Sequence, residues 1–163
     1  MQFESVTLED TAAINELSAL ATSILREYYD PIIGKAQNDY MLEKFQSVRA
    51  IHGQLEQGYR YYFAVAEGRR VGFLAFYPRG NALYLSKLYL LRQERGRGYG
   101  RAMMDFVVAS ARAQGLEAVE LNVNKRNETT RIYEKMGFRI LRSEKNDIGG
   151  GYDMDDYVYQ LTL

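Results

Sequence analysis

The 163-residue chain predicts an α+β fold, a mixed and mainly antiparallel central sheet flanked by helices on both faces. Three observations carry that expectation. Short runs of alternating or wholly apolar residues recur from Tyr59 onward and read as strands. The turn signal Glu67-Gly68-Arg69-Arg70 joins two of them as a hairpin. Segments of helical spacing lie before and between the strands, so helices must cover the sheet.

Taken in order, Gln2 to Thr7 alternates weakly and reads as a first strand, after which Asp10 or Thr11 caps a helix through Ile14, Leu17, Leu20, Ile24 and Leu25. Tyr28-Tyr29-Asp30-Pro31 is expected to break that helix. A second helix is expected from about Asn38 to Gln57, with Met41, Phe45, Val48 and Leu55 on its apolar face. Tyr59–Ala66 and Val71–Tyr77 form the hairpin, and Leu83–Leu91 is the next strand. A helix from Arg101 to Gln114 carries Met103, Phe106, Val107 and Ser110 or Ala111 inward and ends at Gly115. Ala118–Val123 is a strand, a short helix precedes Gly137, and Arg139–Ser143 and Tyr152–Leu163 are strands, the last closing the sheet. Ile148-Gly149-Gly150-Gly151 reads as a flexible loop.

Length fits one domain over residues 1–163. Twenty-one basic and 21 acidic residues cancel, so no global field favours nucleic acid or an anionic membrane. There is no cysteine, hence no disulfide, thiolate nucleophile or cysteine metal site, and no metal is expected. Acidic Glu4, Glu9 and Asp10 stand where a leader would carry basic residues, and no apolar run has membrane length, so a cytoplasmic location is expected.

The densest chemical signal is Leu88 to Arg101, LYLLRQERGRGYGR. A strand runs into Arg95-Gly96-Arg97-Gly98-Tyr99-Gly100 and then a helix start. Alternate glycines let backbone N–H groups converge, the helix N-terminus adds partial positive charge, and Arg95, Arg97 and Arg101 add more, which suits a phosphate or pyrophosphate. A P-loop is excluded because no Gly-Lys-Ser/Thr follows. A dinucleotide fingerprint lacks its third glycine, since Arg101 and Met103 occupy the required positions. A glycine-rich turn with solvated arginines is the bland alternative.

A second segment shifts the balance. Asn127 to Phe138, NETTRIYEKMGF, reads as a short helix with Asn127 as N-cap, Ile132, Tyr133 and Met136 on one face and Gly137 as its stop. Together the two segments resemble the GCN5-related N-acetyltransferase (GNAT) superfamily: Arg95, Gly98 and Gly100 match its Arg/Gln-x-x-Gly-x-Gly/Ala signature, and Asn127, Tyr133, Gly137 and Phe138 match its Asn…Tyr-x-x-x-Gly-Phe helix. The resemblance spans about Tyr59 to Leu163.

That resemblance implies acetyl-coenzyme A as cofactor, with the pantetheine arm beside Leu88, Tyr89 and Leu90, the pyrophosphate on Arg95 to Arg101, and Asn127 and Arg131 reaching it from the other side. It implies acetyl transfer to a primary amine by direct attack, with the Leu90 N–H as oxyanion donor and Tyr133 as general acid. A phenol pKa of about 10 is close enough to a thiol's of about 8.5 for proton transfer. Core packing is the alternative for Tyr133.

The base departs from better-known relatives, because Leu83–Leu91 holds no carboxylate and no histidine. Glu120, on the face opposite Val119, Leu121 and Val123, is the substitute candidate, or else pairs with an arginine. His52 reads as a solvated helix residue. The acceptor is read from two acidic, tyrosine-rich clusters, Glu27 to Asp30 and Tyr152 to Tyr157, with Tyr28, Tyr29, Asp30, Tyr84, Asp155 and Asp156 as its contacts. Carboxylates and aromatic faces attract cations, so a small cationic amine such as a polyamine is expected. A protein or peptide acceptor, a non-catalytic acyl-coenzyme A sensor and a homodimer stay open, while nucleic-acid and membrane partners are not expected.

Overall fold

The computed structural model describes residues 1–163. By its contacts the chain gathers into two compact units, residues 1–77 with 87–105, and residues 78–86 with 106–163. Seven strands follow the order β1-β2-β3-β4-β5-β7-β6. The β4–β5 pair is parallel, and the β1–β2, β2–β3, β5–β7 and β6–β7 pairs are antiparallel, so the expected mixed, mainly antiparallel sheet is the observed one.

The first unit begins with β1 (Gln2–Val6) and the long helix α1 (Thr11–Ile33). Asp10 caps α1, its carboxylate accepting from the Ala13 N–H at 3.0 Å. Pro31 does not break the helix. It lies within the last turn, where the lost N–H removes one bond, and Gly34, at φ 85°, ends the helix by donating to the Asp30 carbonyl. The single helix expected over 38–57 is two, α2 (Lys35–Gln46) and α3 (Val48–Glu56). Ser47 divides them. Its extended backbone leaves the helix, and its hydroxyl then caps α3 by accepting from the Ala50 N–H. Leu17, Ala21, Ile24, Leu42 and Ile51 pack with Tyr61 and Phe63 of β2 (Arg60–Ala66) and Phe73 and Ala75 of β3 (Arg69–Arg79). Each large apolar side chain so buried contributes roughly 1.5–3 kcal/mol.

β4 (Ala82–Leu90) contributes Lys87 to Leu90 to this unit, followed by a 3-10 turn (Arg92–Glu94) and the start of α4 (Tyr99–Ala113), two residues earlier than expected. Gly72 of β3 fixes how closely β3 and β4 meet, since a Cβ there would lie 2.3 Å from the Tyr89 carbonyl oxygen. Only glycine fits that approach.

The second unit holds β5 (Ala118–Asn124), α5 (Thr130–Lys135), β6 (Arg139–Gly149) and β7 (Tyr152–Thr162). Two expectations change here. β7 does not close the sheet but lies between β5 and β6, and β6 extends through Gly149, which turns the expected flexible loop into a hairpin whose Ile148 is buried.

Candidate cofactor and active site

In the first unit, β4 has two differently used edges. The Leu91 N–H bonds to the Val71 carbonyl at 2.9 Å, and the Tyr89 carbonyl faces Gly72, so these groups point toward β3. Alternation along a strand then turns the N–H and C=O of Leu88 and Leu90 to the opposite edge. The parallel ladder to β5 covers only Ala82 to Tyr84, so Leu88 and Leu90 lie beyond it. The Tyr89 ring packs on Phe73 at 5.5 Å, which makes Tyr89 a core anchor and leaves Leu88 and Leu90 as the strand's outward backbone.

The glycine loop follows directly. Gly96 and Gly98 adopt φ of 79° and 82°, a region that L side chains avoid. A Cβ on either would meet nothing within 4 Å, so the loop opens onto free space, and the backbone conformation rather than crowding demands glycine. α4 begins at Tyr99, and the first N–H groups of a helix have no intrahelical acceptor. Arg95 stands over the Tyr28 ring at 5.0 Å, and Arg101 pairs loosely with Asp105 at 3.5 Å. Left-handed glycines beside open space, a helix N-terminus and neighbouring arginines suit a diphosphate.

In the second unit, α5 presents Tyr133, half-buried, with its ring 5.8 Å from Phe138 and 6.5 Å from Tyr159. Gly137, at φ 100°, ends the helix, and the Phe138 N–H returns to the Tyr133 carbonyl. Asn127 is not the N-cap expected of it. That place belongs to Thr129, because the Asn127 side chain is buried and accepts from the Thr129 N–H at 2.9 Å, shaping the turn ahead of α5. Arg131 is exposed.

Glu120 meets an arginine, the alternative the sequence left open, with Arg79 at 3.8 Å and the Gln160 amide at 3.4 Å. Three carboxylates of the acidic clusters expected to contact the acceptor are engaged within the protein or buried. Asp30 accepts from Asn38 at 2.7 Å, Asp155 pairs with Lys125 at 3.0 Å, and Asp156 is buried. Asp156 is instead one end of a chain of side chains. Asn122 donates to Asp156 at 3.3 Å and to Glu144 at 3.4 Å, and accepts from the Tyr84 hydroxyl at 2.9 Å, while Arg79 stacks on the Tyr84 ring at 3.9 Å. Burial raises the Asp156 carboxyl above its usual range, helped by the charges of Asp155 and Glu144 and opposed by Asn122 and Lys125. Arg142 holds the Glu144 carboxyl below its usual range. Tyr28 and Tyr29 meet edge to face at 5.0 Å.

Three groups escaped the sequence reading. Lys87, Glu94 and Asn122 sit where their neighbours gave no local sign, although a lysine inside an apolar strand was itself a signal that it must find partners.

The Acetyltransferase (GNAT) domain family profile matches residues 30–151, three-quarters of the chain. The chain belongs to the GNAT family. An uncharacterised N-acetyltransferase of Mycobacterium tuberculosis is 39% identical over 100 residues, which cover 60% of this chain and 63% of that one, so the match spans under two thirds of that relative's length. Among solved structures, the PaiA N-acetyltransferase of Thermoplasma acidophilum in complex with coenzyme A superposes with a TM-score of 0.76 at 17% identity over all of both chains. The ribosomal-protein-alanine N-acetyltransferase of Brucella melitensis gives 0.67 at 18%, also over all of both chains. At such identities these two likenesses establish a shared GNAT fold. No helix is long and apolar enough to cross a membrane.

Proposed function

We propose that this GNAT domain transfers an acetyl group from acetyl-coenzyme A to a primary amine. The observation that carries the reading is the outward backbone edge at Leu88 and Leu90 running directly into a glycine loop that opens onto free space at Gly96 and Gly98. A strand edge suits the amides of a pantetheine arm, and the loop suits the diphosphate that follows it. When bound, acetyl-coenzyme A supplies an acyl group activated as a thioester. The Leu90 N–H is assigned to the acyl oxygen, Arg95, Arg97, Arg101 and the Gly96–Gly100 backbone to the diphosphate, with Arg131 as an outer contact. Asn127 serves by shaping the turn before α5. Tyr133 is the assigned proton donor to the leaving thiolate.

The acceptor assigned first is a small cationic amine such as a polyamine. The support is the polar array of Tyr84, Glu120, Asn122, Glu144 and Asp156, whose carboxylates outnumber its cations. Glu120 is less suited than expected to take the amine's proton, because Arg79 and Gln160 engage its carboxylate.

The test is coenzyme A binding by calorimetry, followed by thiol release over a panel of polyamines, amino acids, aminoglycosides and peptides. Binding with turnover of an amine supports the reading, whereas binding without turnover of any would make the chain an acyl-coenzyme A sensor. Tyr133→Phe keeps the ring and removes the proton, so kcat should fall by about 10² with cofactor affinity little altered. An unchanged kcat would return Tyr133 to a packing role.

A further inference from the structure

Glu94 ends the 3-10 turn that leads into the glycine loop, and its side chain is only 4% exposed. Its Oε1 accepts from Arg69 Nη1 at 2.7 Å, a partner 25 residues earlier at the start of β3. Its Oε2 is buried and accepts no hydrogen bond, although the Arg97 Nε stands 3.9 Å away. A buried carboxylate oxygen without a donor is unfavourable, and an anion at the foot of an anion-binding loop is doubly so. Arg69 holds this carboxyl below its usual range, so the charge is present at any neutral pH.

The arrangement makes sense if that charge orders the arginines. The side chains of Arg69 and Arg97 are about half exposed, 54% and 52%, so each can face Glu94 with some N–H groups and solvent with others. Glu67 also lies 3.8 Å from Arg69 Nη2, so the two guanidiniums are balanced by two carboxylates, and what they offer a ligand is donor N–H groups rather than surplus charge. A free arginine loses rotamer freedom when it grips a phosphate, and a clamped one has already lost it.

We propose that Glu94 is the positioning residue of the diphosphate loop, holding Arg69 and Arg97 so that their outer N–H groups meet the cofactor's diphosphate pre-ordered. Arg69 thereby joins the cofactor site from outside the glycine motif. The inference rests on the coenzyme A reading above.

The test compares two acetyl donors, acetyl-coenzyme A and S-acetylpantetheine, which lacks the diphosphate and nucleotide. Glu94→Gln is isosteric and neutral, and Arg69→Met keeps the aliphatic stem. For each, the Kd for coenzyme A should rise about tenfold, and the ratio of kcat/KM for acetyl-coenzyme A to that for S-acetylpantetheine should fall by a similar factor. The double variant should lose less than the product of the single losses, since both break one clamp. Equal losses for the two donors would reduce Glu94 to a structural role and overturn the proposal, as would unchanged Kd values. Thermal melts accompany each variant, and if Glu94→Gln fails to fold, Arg69→Met on the exposed partner decides. Wild-type protein that does not bind coenzyme A would sink the cofactor reading itself, whereas tight wild-type binding with unaffected variants would sink only the clamp.

Discussion

Lys87 on β4 and Asp156 on β7 are both ionisable, both nearly out of water, 5% and 2% exposed, and both bonded to neutral groups. They differ in how completely they are served. The Lys87 ammonium lies within hydrogen-bond distance of the Phe45 carbonyl, the Gln46 and Gln54 side-chain oxygens and the Tyr61 hydroxyl, at 2.6, 2.9, 3.0 and 2.5 Å, four oxygens for three N–H groups, and no carboxylate is among them. It ties the ends of α2 and α3 to the sheet of the first unit. Asp156 shares one amide with Glu144 and lies near Asp155, so its neighbours push against its charge. A buried charge with a full set of partners is an internal tie. Burial displaces the proton affinity of both, and at Asp156 the neighbouring charges add to the displacement, which is the pattern of functional sites.

The sharpest way to break this contrast is Lys87→Met. It removes a donor shared by four oxygens, of which the Phe45 carbonyl and Gln54 Oε1 keep the Gln54 amide and the Tyr61 hydroxyl, and should lower unfolding free energy by about 2 kcal/mol in urea titrations. Asp156→Asn keeps a carbonyl for Asn122 and relieves repulsion from Glu144 and Asp155, so its stability change should stay within about 1 kcal/mol. If Asp156→Asn proved the more damaging, the roles would be reversed.

The two groups should also tilt stability in opposite directions with pH. Burial lowers the folded Lys87 to about 7 from its ordinary value of 10.5, so between those limits the unfolded chain binds more protons and stability rises with pH. Asp156 is raised in the folded state, so from the ordinary carboxylate range upward the folded chain binds more protons and stability falls as pH rises to the displaced value. Melting temperatures across pH should show a rising alkaline limb that Lys87→Met removes and a falling acid limb that Asp156→Asn removes. A limb that survives its own variant would assign the titration elsewhere.

The smallest effect is expected of Tyr84→Phe, which breaks the half-buried bond to Asn122 and leaves the ring under Arg79. Stability should change by about 1 kcal/mol or less. If the Asp156 chain serves the acceptor, KM for the amine should rise while the KM for acetyl-coenzyme A does not.

The backbone of the glycine loop and of the Tyr133 helix was legible because each is local: residues within about a dozen positions set the turn and the helix stop. The strands of the first unit were legible because alternation follows burial. Pro31 misled because its cost depends on the distance to the helix end, which Gly34 rather than proline sets. β6 was cut short at Ser143 because it is an exposed strand with almost no apolar face to read. Glu94 gave no sign in the sequence, since its partner Arg69 lies on another strand and only the fold joins them. Asp155 and Asp156 read alike in sequence, yet alternation sends one to Lys125 and buries the other.

β6 carries a consequence for handling the protein. It is the last strand of the sheet, and apart from Ile148 its residues are largely open to solvent, with Ile140 and Leu141 about half exposed. Arg139, Arg142, Glu144, Lys145 and Asp147 line it with charge of both signs, which discourages a second strand from adding on. That protection is electrostatic and therefore yields to salt, because at 1 M the screening length shrinks to about 3 Å. Turbidity in concentrated stocks should thus appear first at high ionic strength, and Ile140 and Leu141 are the residues whose replacement by threonine or lysine would keep such solutions clear.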